Sequence, residues 1–207
     1  MRHAKRQTDL FSIPHSPMPS PRLSALLALQ ALEDLPRTGW IQHGIPDPER
    51  IAGHILGAQY LAISLSERVQ PGLDLGRVLE LLLVHDAPEA LLGDWPRSAS
   101  RLLPPGAKSS AEARAADELL APLSPQARER FDEYAAASTR EARFARLCDR
   151  LQLAVRLYGY CLRGRRGLED FELGLRSLDA SEFAPAEELL CELRSALRAV
   201  ASAPEGT

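Results

Sequence analysis

Residues 79–89 read Leu-Glu-Leu-Leu-Leu-Val-His-Asp-Ala-Pro-Glu, and Gly93-Asp94 follows three residues later. The aliphatic run predicts a helix buried over most of its surface. It ends in His85, Asp86, Glu89 and Asp94. Ionised groups on such a segment are costly to bury unless a cation or a hydrogen-bond network compensates them, and a bound metal ion is the simplest compensation. Two further candidate ligands stand elsewhere, His54 in Ile51-Ala52-Gly53-His54 and Asp149 in Leu147-Cys148-Asp149-Arg150-Leu151. Two imidazoles and two carboxylates suit one borderline divalent ion such as Mn²⁺, Fe²⁺, Co²⁺ or Zn²⁺ better than Mg²⁺ or Ca²⁺. With four protein ligands an octahedral ion keeps positions for water and a substrate oxygen, which is the arrangement of metal-assisted hydrolysis.

Taken singly, each residue has a plainer reading. A lone histidine on an apolar face is usually a satisfied core residue. Trp40 reads first as a core plug. A His-Asp dipeptide recurs by chance.

The elements that must position these residues are helical. Ser20-Pro21 caps a helix expected to run to Leu35, where Pro36 stops it. Asp47-Pro48-Glu49-Arg50 opens a second, with His54 on the face of Ile51, Ile55 and Ala58. Asp74 caps the third, which carries the aliphatic run. Ser109-x-x-Glu112 reads as a capping box, Ser124-Pro125 starts another helix, and Ser138-x-x-Glu141 starts the longest, to about Leu162. Asp149 sits in its middle, where Ala142 and Ala145 leave room for a site. Pro185 opens a last amphipathic helix. No run alternates in the manner of a strand, so the fold class is all-α, a bundle of about seven helices by its start and stop signals, with the metal site between helices. Residues 1–20 read as a flexible, basic and proline-rich N-terminal tail, and 21–203 as one domain.

Composition narrows the function. The 207 residues carry a formal charge of -3, so no net basic field draws the chain to nucleic acid. The longest aliphatic run is too short to cross a membrane. Cys148, Cys161 and Cys191 form no C-x-x-C pair, and together these features read as a cytoplasmic, reduced protein.

The order His54 … His85-Asp86 … Asp149 resembles that of the HD-domain metal phosphohydrolases. The match is nearer to one branch, the 5′-deoxynucleotidases of the YfbR type and their eukaryotic HD-domain relatives. It is carried by Arg37-Thr38-Gly39-Trp40, Pro48-Glu49-Arg50-Ile51-Ala52-Gly53-His54, Val84-His85-Asp86-Ala87-Pro88-Glu89, Gly93-Asp94, Lys108, Tyr134, Glu141-Ala142 and the segment 147–151. Together these span roughly residues 25–160.

The resemblance implies an HD-type helical bundle with His54, His85, Asp86 and Asp149 on the metal. It implies Glu89 as the group that orients or deprotonates the attacking water, and Asp94 as its aid near the leaving sugar oxygen. Trp40 would lie against the deoxyribose, with Arg37 and Lys108 as candidate phosphate contacts. Two positions depart from the family pattern. Gly39 precedes Trp40 where the bacterial branch has arginine, with Arg37 three positions before the tryptophan as in the eukaryotic-type pattern, and Gly53 stands where a polar residue usually precedes the first metal histidine.

The expected reaction is hydrolysis of a deoxyribonucleoside 5′-monophosphate, a small-molecule substrate, and exposed apolar helix faces leave room for a homodimer. Two alternatives stand beside it. One is release of triphosphate from a deoxynucleoside triphosphate, for which Arg37, Arg97, Arg101 and Lys108 would supply cations. The other is a non-catalytic helical module with a structural metal.

Overall fold

The computed structural model describes residues 18–202. Ser20 caps the first helix, its Oγ accepting from the Leu23 amide at 3.3 Å, with Pro21 at the first helical position. The helix expected through Leu35 is broken at Gln30 into α1 (Pro21–Leu29) and α2 (Ala31–Asp34). Only Ala25 and Leu32 of this pair are buried, while Leu23, Leu26 and Leu27 face solvent.

A short α3 (Thr38–Gln42) follows, and then α4 (Ile51–Ser66). The Asp47-Pro48 device does not start α4, as the sequence suggested. Instead Pro36 and Arg50 form an isolated antiparallel bridge, the Arg37 amide donating to Glu49 O and the Ile51 amide to Leu35 O. Those backbone bonds hold Arg37 and Trp40 beside the first turn of α4, and hence near His54.

Asp74 caps α5 (Leu75–Val84) as expected, its side chain accepting from the Arg77 amide. The helix stops at His85. A turn through Pro88 leads to α6 (Glu89–Leu92), which Gly93 ends at φ +75°, a backbone state that a Cβ would strain. Then come α7 (Arg97–Ser100), α8 (Ala107–Leu119) and α9 (Pro125–Ala136). The expected capping box at Ser109 is absent, because left-handed Gly106 stands at the N-cap of α8 three residues earlier.

The longest helix, α10 (Arg140–Leu162), is capped by Thr139 rather than Ser138. It is followed by α11 (Glu169–Arg176) and α12 (Ala184–Ser202), so the described residues form twelve helices where about seven were expected. The surplus is the eight-residue α11 together with α2, α3, α6 and α7, each of only four or five residues. Such pieces lack the length for a helical periodicity to show.

Helix α10 organises the bundle, packing against α4, α5, α9, α11 and α12. Its Leu147, Cys148, Leu151, Ala154 and Leu157 meet Ala58, Ala62, Val78, Leu81 and Leu82 in the main core. Each fully buried leucine there contributes roughly 2 kcal/mol by removal from water. Ala142 and Ala145 belong to this core; they do not open the space for a site. No strand lies among the described residues, and no helix there is long and apolar enough to cross a membrane.

Candidate metal centre

Three helices bring the predicted ligands together: α4 holds His54, α10 holds Asp149, and the C-terminal end of α5 holds His85 with Asp86 after it. The Nε2 atoms of His54 and His85 and a carboxylate oxygen of Asp149 all lie within 4.8 Å of one another, close enough to share one ion. His54 Nε2 is 2.9 Å from Asp149 Oδ1, and His85 Nε2 is 3.9 Å from the same oxygen. Asp86 Oδ2 lies 3.2 Å from His85 Nε2 and 3.7 Å from His54 Nε2. It is also held by Arg37, whose Nη1 donates to it at 3.0 Å.

The tautomers of both histidines follow from their outer nitrogens. His85 Nδ1 lies 2.7 Å from Leu82 O, a carbonyl that can only accept. His54 Nδ1 lies 2.5 Å from Gln152 Oε1, while the Gln152 amide nitrogen bonds Glu49. A carboxylate cannot donate, so the Gln152 amino group must face Glu49 and its oxygen must face His54. Both imidazoles therefore carry their proton on Nδ1 when neutral and present an Nε2 lone pair to the centre. Both Nε2 atoms are buried without a hydrogen-bond partner. An orphaned pair of buried imidazole nitrogens beside two carboxylates is the donor set that a divalent ion satisfies.

Electrostatics agree. Burial opposes charge on His85, Asp86 and Asp149, yet the attraction of neighbouring charges prevails. Asp86 is held far below the usual carboxylate range by His85, Arg37 and His54, and Asp149 is lowered by His54 and His85. His85 is raised to about 9: burial works against its charge, but Asp86 and Asp149 outweigh it. Arg37 is held above its ordinary value, burial again being outweighed by Asp86, Asp149, Asp94 and Glu89.

Glu89 opens α6, and its backbone amide donates to Asp86 O at 3.0 Å. Burial first, then the charges of Asp86 and Asp94, push its carboxyl well above the usual range, and its Oε2 is buried without a partner. Asp94 ties two loops together. Its Oδ2 accepts from the Thr38 amide at 2.5 Å, and its carbonyl accepts from Thr38 Oγ1 at 2.9 Å.

Asp86, Glu89, Asp94 and Asp149 border a cleft of about 720 Å³, together with Arg37 and Lys108. Trp40 also lines it but is only 1% exposed, being stacked on Phe171 and met edge-on by Tyr160. Lys108 is paired with Glu112 at 3.4 Å.

Several supporting residues had no site role assigned to them in the sequence reading. Tyr134 donates its hydroxyl to Asp149 Oδ2 at 2.9 Å. Gln152 and Glu49 form a buried relay behind His54 that Arg156 completes, its Nε donating to Glu49 Oε1 at 2.9 Å. This relay supplies from α10 the support that Gly53 cannot give. Gln152 carried a usable signal, a polar residue one helical turn beyond Asp149 on a buried face. Glu49 carried none, because it read as part of a helix start.

Comparison with known proteins agrees with this geometry. The family model described as HD domain matches residues 29–176. The chain is 30% identical over 151 residues to the 5′-deoxynucleotidase hdd1 of Schizosaccharomyces pombe, covering 69% of this chain and 75% of that protein. It is 29% identical over 188 residues to the 5′-deoxynucleotidase HDDC2 of Mus musculus, covering 85% and 89%. Among solved structures, the PH0347 protein of Pyrococcus horikoshii superposes with a TM-score of 0.73 at 29% identity, covering 84% of this chain and 99% of that one. A structure described as a predicted metal-dependent phosphohydrolase from Magnetospirillum magnetotacticum gives 0.60 at 25% identity, covering 89% and 100%.

Proposed function

The chain belongs to the HD domain family, and from that premise we infer that it is a cytoplasmic 5′-deoxynucleotidase. It hydrolyses deoxyribonucleoside 5′-monophosphates to deoxynucleoside and phosphate. The observation that carries this reading is the pair of orphaned imidazole nitrogens, His54 Nε2 and His85 Nε2, set beside Asp86, Asp149 and the unpartnered Glu89 at one cleft.

His54, His85, Asp86 and Asp149 would hold one divalent ion, and a donor set of two imidazoles and two carboxylates favours Mn²⁺, Co²⁺, Fe²⁺ or Zn²⁺. When bound, that ion supplies Lewis-acid activation of water and of the phosphoryl group. The rest falls to the side chains. Arg37, already drawn to the site by Asp86, neutralises the phosphate with a planar fork of donors. Glu89, as a carboxylate, takes the proton of the attacking water; burial and two like charges raise its carboxyl to about 9 in the metal-free centre, and a bound cation would draw it back to the ionised form that this step needs. Water oxygen bonds to phosphorus as the P–O5′ bond breaks, and Asp94, fixed by Thr38, helps return a proton to O5′. Trp40, 1% exposed beneath Phe171, backs the wall at the sugar end rather than lying open to the deoxyribose, and Lys108 stands at the rim.

Arg37, Arg97, Arg101 and Lys108 all line the cleft, so its cations alone do not separate a monophosphate from a triphosphate. The monophosphate is favoured by the likeness to relatives named 5′-deoxynucleotidases. A phosphate-release assay over ribo- and deoxynucleotides with Mn²⁺ and Co²⁺ tests the reading. The expected result is release of inorganic phosphate from deoxynucleoside monophosphates, lost in His85→Ala and Asp86→Ala along with the bound metal. Release of triphosphate alone from deoxynucleoside triphosphates would overturn it.

A further inference from the structure

The cleft has two chemically distinct ends. One is the charged centre just described. The other includes an apolar wall made by Leu153, Ala154 and Leu157 of α10 and by Phe171 and Leu175 of α11, with Arg97, Arg150 and Asp170 also lining the cleft. No ionic chemistry calls for that second wall, yet it belongs to the same continuous cavity, whose volume of about 720 Å³ is in the range that encloses a small organic ligand.

The aromatic surface at this end belongs to Phe171 more than to Trp40. The Phe171 ring lies 4.0 Å from Trp40, centroid to centroid, at an interplanar angle of 21°. Trp40 is thereby covered on one face and closed edge-on by Tyr160 at 5.0 Å, which leaves it 1% exposed. Phe171 remains half-buried. His43 steadies it, ring to ring at 4.8 Å, and is itself tied by Nδ1 to Gly39 O at 2.9 Å and by Nε2 to Asp170 at 3.6 Å.

Gly39 makes this packing feasible. A Cβ there would sit 3.3 Å from Phe171 Cζ, tighter than ordinary contact, so the ring's place depends on the missing side chain. The glycine at position 39, where the bacterial branch has arginine, thus coincides with the approach of an aromatic ring from α11.

The geometry points to Phe171 as a specificity-determining residue that packs against the nucleobase while the phosphate occupies the charged end. This rests on the 5′-deoxynucleotidase reading and extends it to the base subsite. An aromatic face is tolerant of base identity, because every base offers a π-face. Phe171 would therefore strengthen binding of nucleotides over sugar phosphates without selecting strongly among bases.

The test compares dAMP with 2-deoxyribose 5-phosphate, which has the same phosphate and sugar but no base, on the Mn²⁺-loaded enzyme. Phe171→Leu keeps apolar volume over Trp40 and removes the aromatic face; Phe171→Tyr keeps the face. The leucine variant should raise KM for dAMP about tenfold, on the scale of one lost base stack, with kcat changed by less than about twofold. Its kcat/KM for deoxyribose 5-phosphate should match the wild type, and the tyrosine variant should restore KM for dAMP. Equal loss on both substrates, or no change on either, overturns the assignment. Thermal melting confirms that each variant is folded. If the wild type turns over neither compound, the hydrolase reading fails, and tryptophan-fluorescence titration with dAMP decides Phe171 separately. Weaker dAMP binding by the leucine variant sustains the base contact, and unchanged binding removes it.

Discussion

Gln152 on α10 and His54 on α4 meet at 2.5 Å, amide oxygen to Nδ1, and this contact sets which nitrogen of His54 faces the metal centre. Glu49 sets it one step further back, since its carboxylate can only accept and so orients the amide. Replacing Gln152 by Leu should lower divalent-metal affinity by about 10- to 100-fold, the usual cost of losing such a partner. Calorimetric Mn²⁺ titration checks it. Unchanged affinity would mean that ring packing alone orients His54.

Glu89 is placed beside the ligands without being held by them. Glu89→Gln should reduce turnover by about 10²- to 10⁴-fold, the range expected for loss of a general base, while metal content stays as in the wild type. Phosphate release and elemental analysis on the same sample separate the two. A loss of metal instead would assign Glu89 to coordination.

Arg37 offers a test of charge against shape. Arg37→Ala leaves Asp86 without its cation and should raise KM for a monophosphate roughly tenfold or more, the scale of a lost charge-assisted hydrogen bond. Arg37→Lys should recover only part of it, because an ammonium keeps the charge but not the bidentate fork. Steady-state kinetics of the three proteins give the ordering, and a lysine variant equal to wild type would remove the geometric argument.

The metal-free protein should lose stability as pH rises above neutrality. His85 titrates at about 9 in the fold against an ordinary 6.5. Its contribution is therefore complete below 6.5 and gone once pH passes 9. Glu89 acts in the same sense: with its pKa raised by folding, its ionisation becomes a growing cost as pH climbs above the unfolded value. The melting temperature in EDTA should fall between pH 6.5 and 9, and Glu89→Gln should make that fall shallower. Added Mn²⁺ should oppose it, since metal competes with the proton on His85 and binds better as pH rises. A melting temperature that climbs with pH in EDTA would contradict the charge balance described for the centre.

Much of this protein was legible in its residues alone. Ser20-Pro21, Asp74 and Ser124-Pro125 act locally, through a side-chain oxygen on nearby amides, so their helix starts could be read without a fold. The candidate ligands could be proposed from the residues because histidine and aspartate on aliphatic helices demand compensation, and the family resemblance supplied their order; the structure brings His54, His85 and Asp149 together. What only tertiary structure decided depends on contacts between distant segments. Glu49 reaches Gln152 and Arg156 across 103 and 107 positions of sequence, and no local pattern marks such a partner. Asp94 proves to bind Thr38, 56 positions away, through both its side chain and its backbone carbonyl. Phe171 lay in a stretch without pattern, yet α11 brings it flat against Trp40. Local chemistry sets where helices begin and which residues need a counterion. The packing of α4, α5 and α11 on α10 decides which groups answer that need and what shape of substrate the cleft admits.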